Sequence, residues 1–181
     1  FHPYAMSAFL NVPTSLFYNR EVSGYGLENK KLKCLASRVL DCEDNDFCIN
    51  LIEQWLLSQL KINSTSRRAL DIDRIMTVVR QMYSNPNIRI SELASIACLS
   101  KKQFERIFLA VVGMNPKEYA RIVRFQKSLK LMQNQPESIS LAQISYQCGY
   151  SDQSHFIREF KTLSGYTPLS LKEICEPYSD L

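Results

Sequence analysis

The chain has 181 residues, 45% of them hydrophobic and 22% charged, with a formal net charge of +4. That is a globular composition, long enough for one or two real cores. It contains no apolar run of the ~18 residues a membrane span needs, no C-x-x-C pair among its six cysteines, and only two histidines, His2 and His155. A zinc site is therefore not expected, and the absence of a P-loop, nucleophile elbow or dinucleotide motif speaks against an enzyme.

In chain order, residues 1–20 mix short apolar runs with Pro3 and Pro13, and residues 8–12 have the composition of a short strand. Residues 18–31, with Gly24 and Gly26, read as a turn or short helix, and residues 33–40 as a helix. The acidic stretch 41–46 caps the helix after it. Residues 46–62 are the strongest element of this half, with a broad apolar face of Cys48, Leu51, Ile52, Trp55, Leu56 and Leu60. That face either packs on its own domain or pairs with a second copy; both readings stand. Residues 63–68 read as a polar linker. Asp71 is expected to cap the next helix, whose core stripe is Ile72, Ile75, Met76, Val79 and Met82 and which ends before Pro86. Because the chain opens on Phe1 and not on Met, it is expected to be a piece of a longer protein, with no signal peptide in view.

The rest of the chain is organised by a repeat. Residues 93–100 (LASIACLS), then Phe104, Phe108, Gly113 and Pro116, recur as residues 144–151 (ISYQCGYS), then Phe156, Phe160, Gly165 and Pro168. The offset is 51 residues up to the central turn and 52 after it, so the second turn holds one extra residue. Each copy reads as two helices. Ser140 with Gln143, and Ser100 with Gln103, form capping boxes, and Asp152 is the cap matching Ser100. Gly113 and Gly165 stand where a left-handed residue ends a helix, and Pro116 and Pro168 fit the first turn of the next. The start of the first copy is weaker, because Arg89 stands where Ser140 stands in the second. Cys98 and Cys148 read as equivalent apolar positions, both buried, with each thiol acting as a small hydrophobe. All six cysteines are expected to be reduced.

The second helix of each copy carries the chemistry. In 101–112, Phe104, Ile107, Phe108 and Val111 make a buried stripe. At about 100° per residue Lys102 and Arg106 point away from it, with Gln103 beside them. In 153–164 the stripe is Phe156, Phe160 and Leu163, with Ser154 and Arg158 opposite and His155 flanking them. Cationic and amide groups on the outer face of a packed helix pair are the inventory for reading base edges and phosphates in a major groove. A solvated face explains most lone pairs of basic residues; duplication in this frame favours DNA. Residues 101–130 add to it, with eight Lys/Arg against Glu105 and Glu118. Between the copies, a helix over 116–133 spans roughly 27 Å, most of the ~34 Å of one DNA turn. Of its basic residues Arg124 is expected to reach a phosphate, and Arg121, Lys127 and Lys130 to be ordinary solvated charges.

The run from Gly149 to Lys161 (GYSDQSHFIREFK), followed by Gly165-Tyr166-Thr167-Pro168, resembles the second motif of the AraC/XylS family of bacterial transcription regulators. The resemblance covers about residues 71–175. It departs at Leu171, where the family carries an aromatic, and at Ser128, where it carries alanine; both are packing positions. It implies a mainly α fold in which two helix-turn-helix motifs (about 89–112 and 140–164) are joined by a long linker helix (116–133). Residues 71–175 would be the DNA-binding domain, and residues 1–66 a mostly helical tail of a sensor or dimerisation domain plus linker. The residues expected on DNA are Lys101, Lys102, Gln103, Arg106, Arg124, Gln153, Ser154, His155 and Arg158.

The function expected is that of a sequence-specific transcription regulator inserting two recognition helices into successive major grooves. The alternative is an effector- or protein-binding module that engages DNA only as part of a dimer. No enzymatic activity, cofactor or metal is expected. The resemblance implies double-stranded DNA as partner, a second copy through residues 46–62, RNA polymerase, and a small-molecule effector of unknown identity, in the cytoplasm and away from membranes.

Overall fold

The computed structural model of the protein describes residues 2–10, 12–63, 67–134 and 139–174. Linker residues 64–66, Pro136 and Cys175 lie outside them. The ordered elements among the described residues are ten α-helices and two 3-10 turns, with no strand. The chain forms two compact units, one of residues 1–77 and 94–115, the other of residues 78–93 and 116–181. The helix α4 (Arg67–Ser84) and the helix α5 (Ile90–Ile96) each contribute to both.

The first unit begins with α1 (Ala5–Phe9), two 3-10 turns (Thr14–Phe17 and Gly24–Gly26), α2 (Lys30–Leu40) and α3 (Asn45–Asn63). Residues 8–10 are not in a strand: residues 8 and 9 close α1, and Leu10 is extended but pairs with no strand among the described residues; Asn11 lies outside them. A lone extended segment has no ladder to bond with, whereas α1 can bury Ser7 and Leu10. Both α1 and α2 pack on α3. The expected apolar face of α3 is divided: Cys48, Leu51, Trp55 and Leu56 are half-buried, while Ile52 and Leu60 are 39% and 41% exposed. Asp71 does not cap α4. That helix starts four residues earlier, at Arg67, and Asp71 sits inside it, paired with Arg74 one turn on at 3.4 Å. The unit closes with α6 (Lys101–Val112). Phe104, Phe108 and Val111 of α6 are buried and Ile107 half-buried, and the two phenyl rings meet edge to face at 5.6 Å.

The second unit is built on α7 (Pro116–Asn134), which packs against α8 (Leu141–Cys148) and α9 (Gln153–Ser164); α10 (Pro168–Ile174) follows on α9. Its core is Ile144, Cys148, Tyr150, Phe156 and Phe160, flanked by Phe125, Leu129 and Leu171 among others. The two family departures are packing positions, as expected. Ser128 is fully buried and returns its hydroxyl to the Phe125 carbonyl at 2.7 Å, and Leu171 lies against the core. Leu163 is not part of the stripe; it is 37% exposed, and the inner position is taken by Glu159 at 7%.

The caps form as their spacing predicts. Ser100/Gln103 and Ser140/Gln143 are complete capping boxes. Asp152 accepts the His155 backbone N–H at 2.7 Å. Gly113 and Gly165 end α6 and α9 in the left-handed region at φ +94° and +80°.

The cysteine expectation is half wrong. Cys148 is fully buried, but Cys98 is exposed. The reason is register. An offset of 51 pairs Cys148 with Ala97 and Cys98 with Gly149. The backbone obeys that pairing: Cys98 and Gly149 are both left-handed, at φ +55° and +80°. Leu99 N–H bonds to the Ala94 carbonyl as Tyr150 N–H bonds to that of Ser145. Cys98 thus occupies a turn position that favours glycine and holds its thiol outward.

Candidate nucleic-acid interface

The capping box at Ser100 starts α6. Lys101, Lys102, Gln103 and Arg106 are all exposed there, while the ring of Phe104 between them is fully buried. Gln103 is partly committed: its Oε1 accepts from the Ser100 N–H at 3.2 Å and hydroxyl at 2.9 Å, which leaves the amide nitrogen as the outward group. Arg106 also lines a groove of about 400 Å³ with Val12, Pro13, Arg68 and Asp71. Across it the Arg68 Nη2 donates to the Val12 carbonyl at 3.0 Å.

On α9 the corresponding face is Gln153, Ser154 and Arg158, all exposed. Arg158 Nε returns to the Ser154 carbonyl at 3.3 Å, which leaves the outer edge of its guanidinium to face outward. His155 is half-buried between two partners. Its Nδ1 lies 3.1 Å from the Ser151 hydroxyl, and its Nε2 lies 3.6 Å from the Glu159 carboxylate. The extra residue of the second turn is therefore the one that holds the histidine ring. Asp152 accepts the His155 backbone N–H first and the Ser151 hydroxyl second, and these bonds hold its carboxyl below the usual carboxylate range.

Arg124 is not brought to this face as a free cation. Its Nη2 bonds to Glu159 Oε1 at 3.0 Å, its guanidinium lies 5.3 Å over the Tyr150 ring, and its side chain is only 18% exposed. Arg121, expected to be merely solvated, donates from Nε to the other oxygen of Glu159 at 3.1 Å. Glu159 is therefore the hub beneath α9, receiving two arginines from α7 and the histidine one turn back. Burial first, and then the negative charge of Glu159, push the Tyr150 phenol upward. Burial likewise pushes the Cys148 thiol up to about 11, against the opposing pull of Lys127 and Arg124. The one sequence signal of this hub was the break in the stripe: Glu159 stands where the first copy has Ile107. Among the described residues no cluster of His, Cys, Asp or Glu has the arrangement to hold a metal ion. No described helix is long and apolar enough to cross a membrane.

Two capped helix pairs in tandem, each presenting a polar and cationic outer face, match a known family model. A helix-turn-helix domain model aligns with residues 93–173. The chain is similar to the Msm operon regulatory protein of Streptococcus mutans, 28% identical over 68% of this chain and 43% of that protein. It is also similar to the uncharacterized HTH-type transcriptional regulator YdeC of Bacillus subtilis, 36% identical over 80% of this chain and 51% of that protein. Among solved structures, an AraC-type DNA-binding domain-containing regulator of Chromobacterium violaceum superposes with a TM-score of 0.52. It is 25% identical and is matched over 90% of its length and 56% of this chain. Residues 93–173 thus match a helix-turn-helix domain model and are similar to AraC-type DNA-binding domains. The fold agrees with that of the DNA-binding domain of AdpA, solved with a target DNA, at a TM-score of 0.52 and 18% identity over 56% of this chain and 91% of that one. The chain spans about half the length of the curated relatives it matches.

Proposed function

We propose that this AraC-type chain is a sequence-specific DNA-binding transcription regulator that reads a duplex with α6 and α9. The observation that carries this is the duplication. Two capped helices bury their aromatic residues and expose Lys101, Lys102 and Arg106 in one copy, and Gln153, Ser154 and Arg158 in the other. The relatives are named as regulators, one of them of an operon, and one fold neighbour was solved on DNA. On this reading Gln103 and His155 reach bases or phosphates from the edges of the two faces. Arg124 serves by holding Glu159, not by touching phosphate. The chain is no enzyme and works in the cytoplasm. The division into a regulatory tail (1–66) and a DNA-binding domain (71–175) belongs to the same proposal.

The two faces differ in side chains, so the site should be asymmetric, with two unlike segments. With both motifs engaged on one duplex, a single chain should contact segments about one helical turn apart, ~10 bp. The basic block of residues 101–130 should make binding salt-sensitive. Footprinting the chain on sites selected from random DNA tests this. Arg106→Ala and Arg158→Ala should each weaken binding by about 1–3 kcal/mol, relaxing one position if the contact is to a base and weakening all sequences alike if it is to phosphate. Parental binding by both variants would refute the assignment of these faces.

A second copy pairing through α3 has its own observation. Ile49, Ile52, Leu57 and Leu60 are 54%, 39%, 52% and 41% exposed along that helix. Light scattering of the chain with Ile49→Lys and Leu60→Lys decides it, since a dimer through this face becomes a monomer. An effector and a contact to RNA polymerase stay part of the proposal through the family alone.

A further inference from the structure

The carbonyl end of α6 is not finished by its own residues. The last four carbonyls of any helix lack partners within it. In α6 the Gly113 N–H takes that of Leu109 at 2.9 Å. The Ala110 carbonyl accepts the Thr14 hydroxyl at 2.8 Å, and the Val111 carbonyl accepts the Ser7 hydroxyl at 2.8 Å. Both donors come from about a hundred residues upstream and are themselves buried, Ser7 at 1% and Thr14 at 5% exposure. The backbones also approach closely: a Cβ on Gly113 would stand 2.9 Å from the Thr14 carbonyl oxygen.

The repeat supplies the control. Residues 110 and 112 of α6 are Ala and Val, and their counterparts in α9 are Thr162 and Ser164. Those hydroxyls serve α9 locally: Thr162 donates to the Arg158 carbonyl and Ser164 to the Phe160 carbonyl, both at 2.8 Å. Gly165 meets nothing within 4 Å of a Cβ. Those bonds return to carbonyls four residues back within α9, whereas the open carbonyls of Ala110 and Val111 at the end of α6 are reached by hydroxyls from residues 14 and 7. The same segment then runs past the reading face, where Val12 and Pro13 form one wall of the groove that Arg106 lines.

We propose that residues 5–17 are the positioning element of the first reading helix, with Ser7 and Thr14 as its positioning residues. They set the placement of α6, and hence of Lys101, Lys102 and Arg106, while α9 needs no such segment. Any event upstream that shifts residues 5–17 would then switch off the first motif and spare the second. This rests on the DNA-reading role proposed above.

The test uses the full chain carrying Ser7→Ala with Thr14→Val, which removes both hydroxyls and nearly preserves shape, beside Thr14→Ser, which keeps both. Footprinting should show the double variant losing the segment read by α6, with affinity down about tenfold or more, while the segment read by α9 stays protected. Thr14→Ser should keep both segments. Protection of both segments by the double variant at parental affinity overturns the proposal, and so does equal loss of both. If the double variant loses its cooperative melt, Thr14→Val alone is read the same way. Amide hydrogen exchange without DNA provides the second readout: the last turn of α6 should exchange faster in the variant and α9 should not. Unchanged exchange in α6 overturns the proposal. A parent chain that protects no DNA would sink the DNA reading but leave this exchange result decisive.

Discussion

Removing the carboxylate of Glu159 should destabilise the second unit, and the size of the loss is set by the surroundings. The side chain is 7% exposed and holds Arg124 at 3.0 Å and Arg121 at 3.1 Å. Arg124 is itself only 18% exposed, so Glu159→Leu leaves a largely buried guanidinium without its counter-charge. Breaking a buried pair from one side costs about 3–5 kcal/mol. Arg121 is 40% exposed, and its bond adds no more than the ~0–1 kcal/mol of a surface pair. Some water reaches Arg124, which places the expected loss near the lower end, about 3 kcal/mol. Glu159→Gln keeps an acceptor oxygen and should cost about 1 kcal/mol, the difference between a charged and a neutral hydrogen bond. Glu159→Leu combined with Arg124→Leu removes both charges and should recover most of the loss, because the first copy holds Ile107 at this position without difficulty. Urea unfolding followed by far-UV circular dichroism measures the series; fluorescence would not, since the single tryptophan, Trp55, lies in the other unit. A Glu159→Leu chain within about 0.5 kcal/mol of the parent, or a double variant no better than the single, would refute the account of Glu159 as the hub beneath α9.

The Asp152 cap should make α9 acid-sensitive. Its carboxyl is held below its ordinary range by the His155 N–H and the Ser151 hydroxyl, so its contribution is full at neutral pH. That contribution is lost as pH falls through the lowered value. Thermal melts from pH 7 to pH 3 should show a smaller acid drop for Asp152→Asn than for the parent, and identical drops would count against the cap. Gly165→Ala should cost only the left-handed penalty of about 1 kcal/mol, since nothing crowds it. Gly149→Ala should cost a similar amount: its Cβ would overlap the Asn87 side-chain amide, but Asn87 is exposed and that amide can swing aside; a melting point for Gly149→Ala far below that of Gly165→Ala would contradict this. Cys98 should react with maleimide in the native chain, whereas Cys148, buried and with its thiol pushed up to about 11, should react only on unfolding. Peptide mapping of the labelled chain reads both sites, and rapid labelling of Cys148 would show its environment to be wrongly described.

What was legible in the sequence was what short-range rules control. The boxes at Ser100/Gln103 and Ser140/Gln143, the cap at Asp152, the closing glycines 113 and 165 and the bounds of α6 to α9 each depend on residues within a turn of one another. The repeat then supplied the architecture, because a unit that occurs twice need be recognised only once. It also contained the correct answer for Cys98: the 51-residue offset pairs it with Gly149, while attention to residue type paired it with Cys148 and buried it wrongly. The start of α4 failed for a different reason. Asp71 has a good capping side chain, yet the helix had already begun at Arg67, and an aspartate inside a helix can pair along it instead. Only the tertiary structure could decide the rest. Glu159 became a hub because packing of α9 on α7 brings Arg121 and Arg124 to it from 35 or more residues away, and no periodicity within α9 encodes that approach. Ser7 and Thr14 look like ordinary polar residues of a weakly patterned segment. Their meaning comes from carbonyls 95 or more residues further along, which α6, like any helix, leaves open in its last turn.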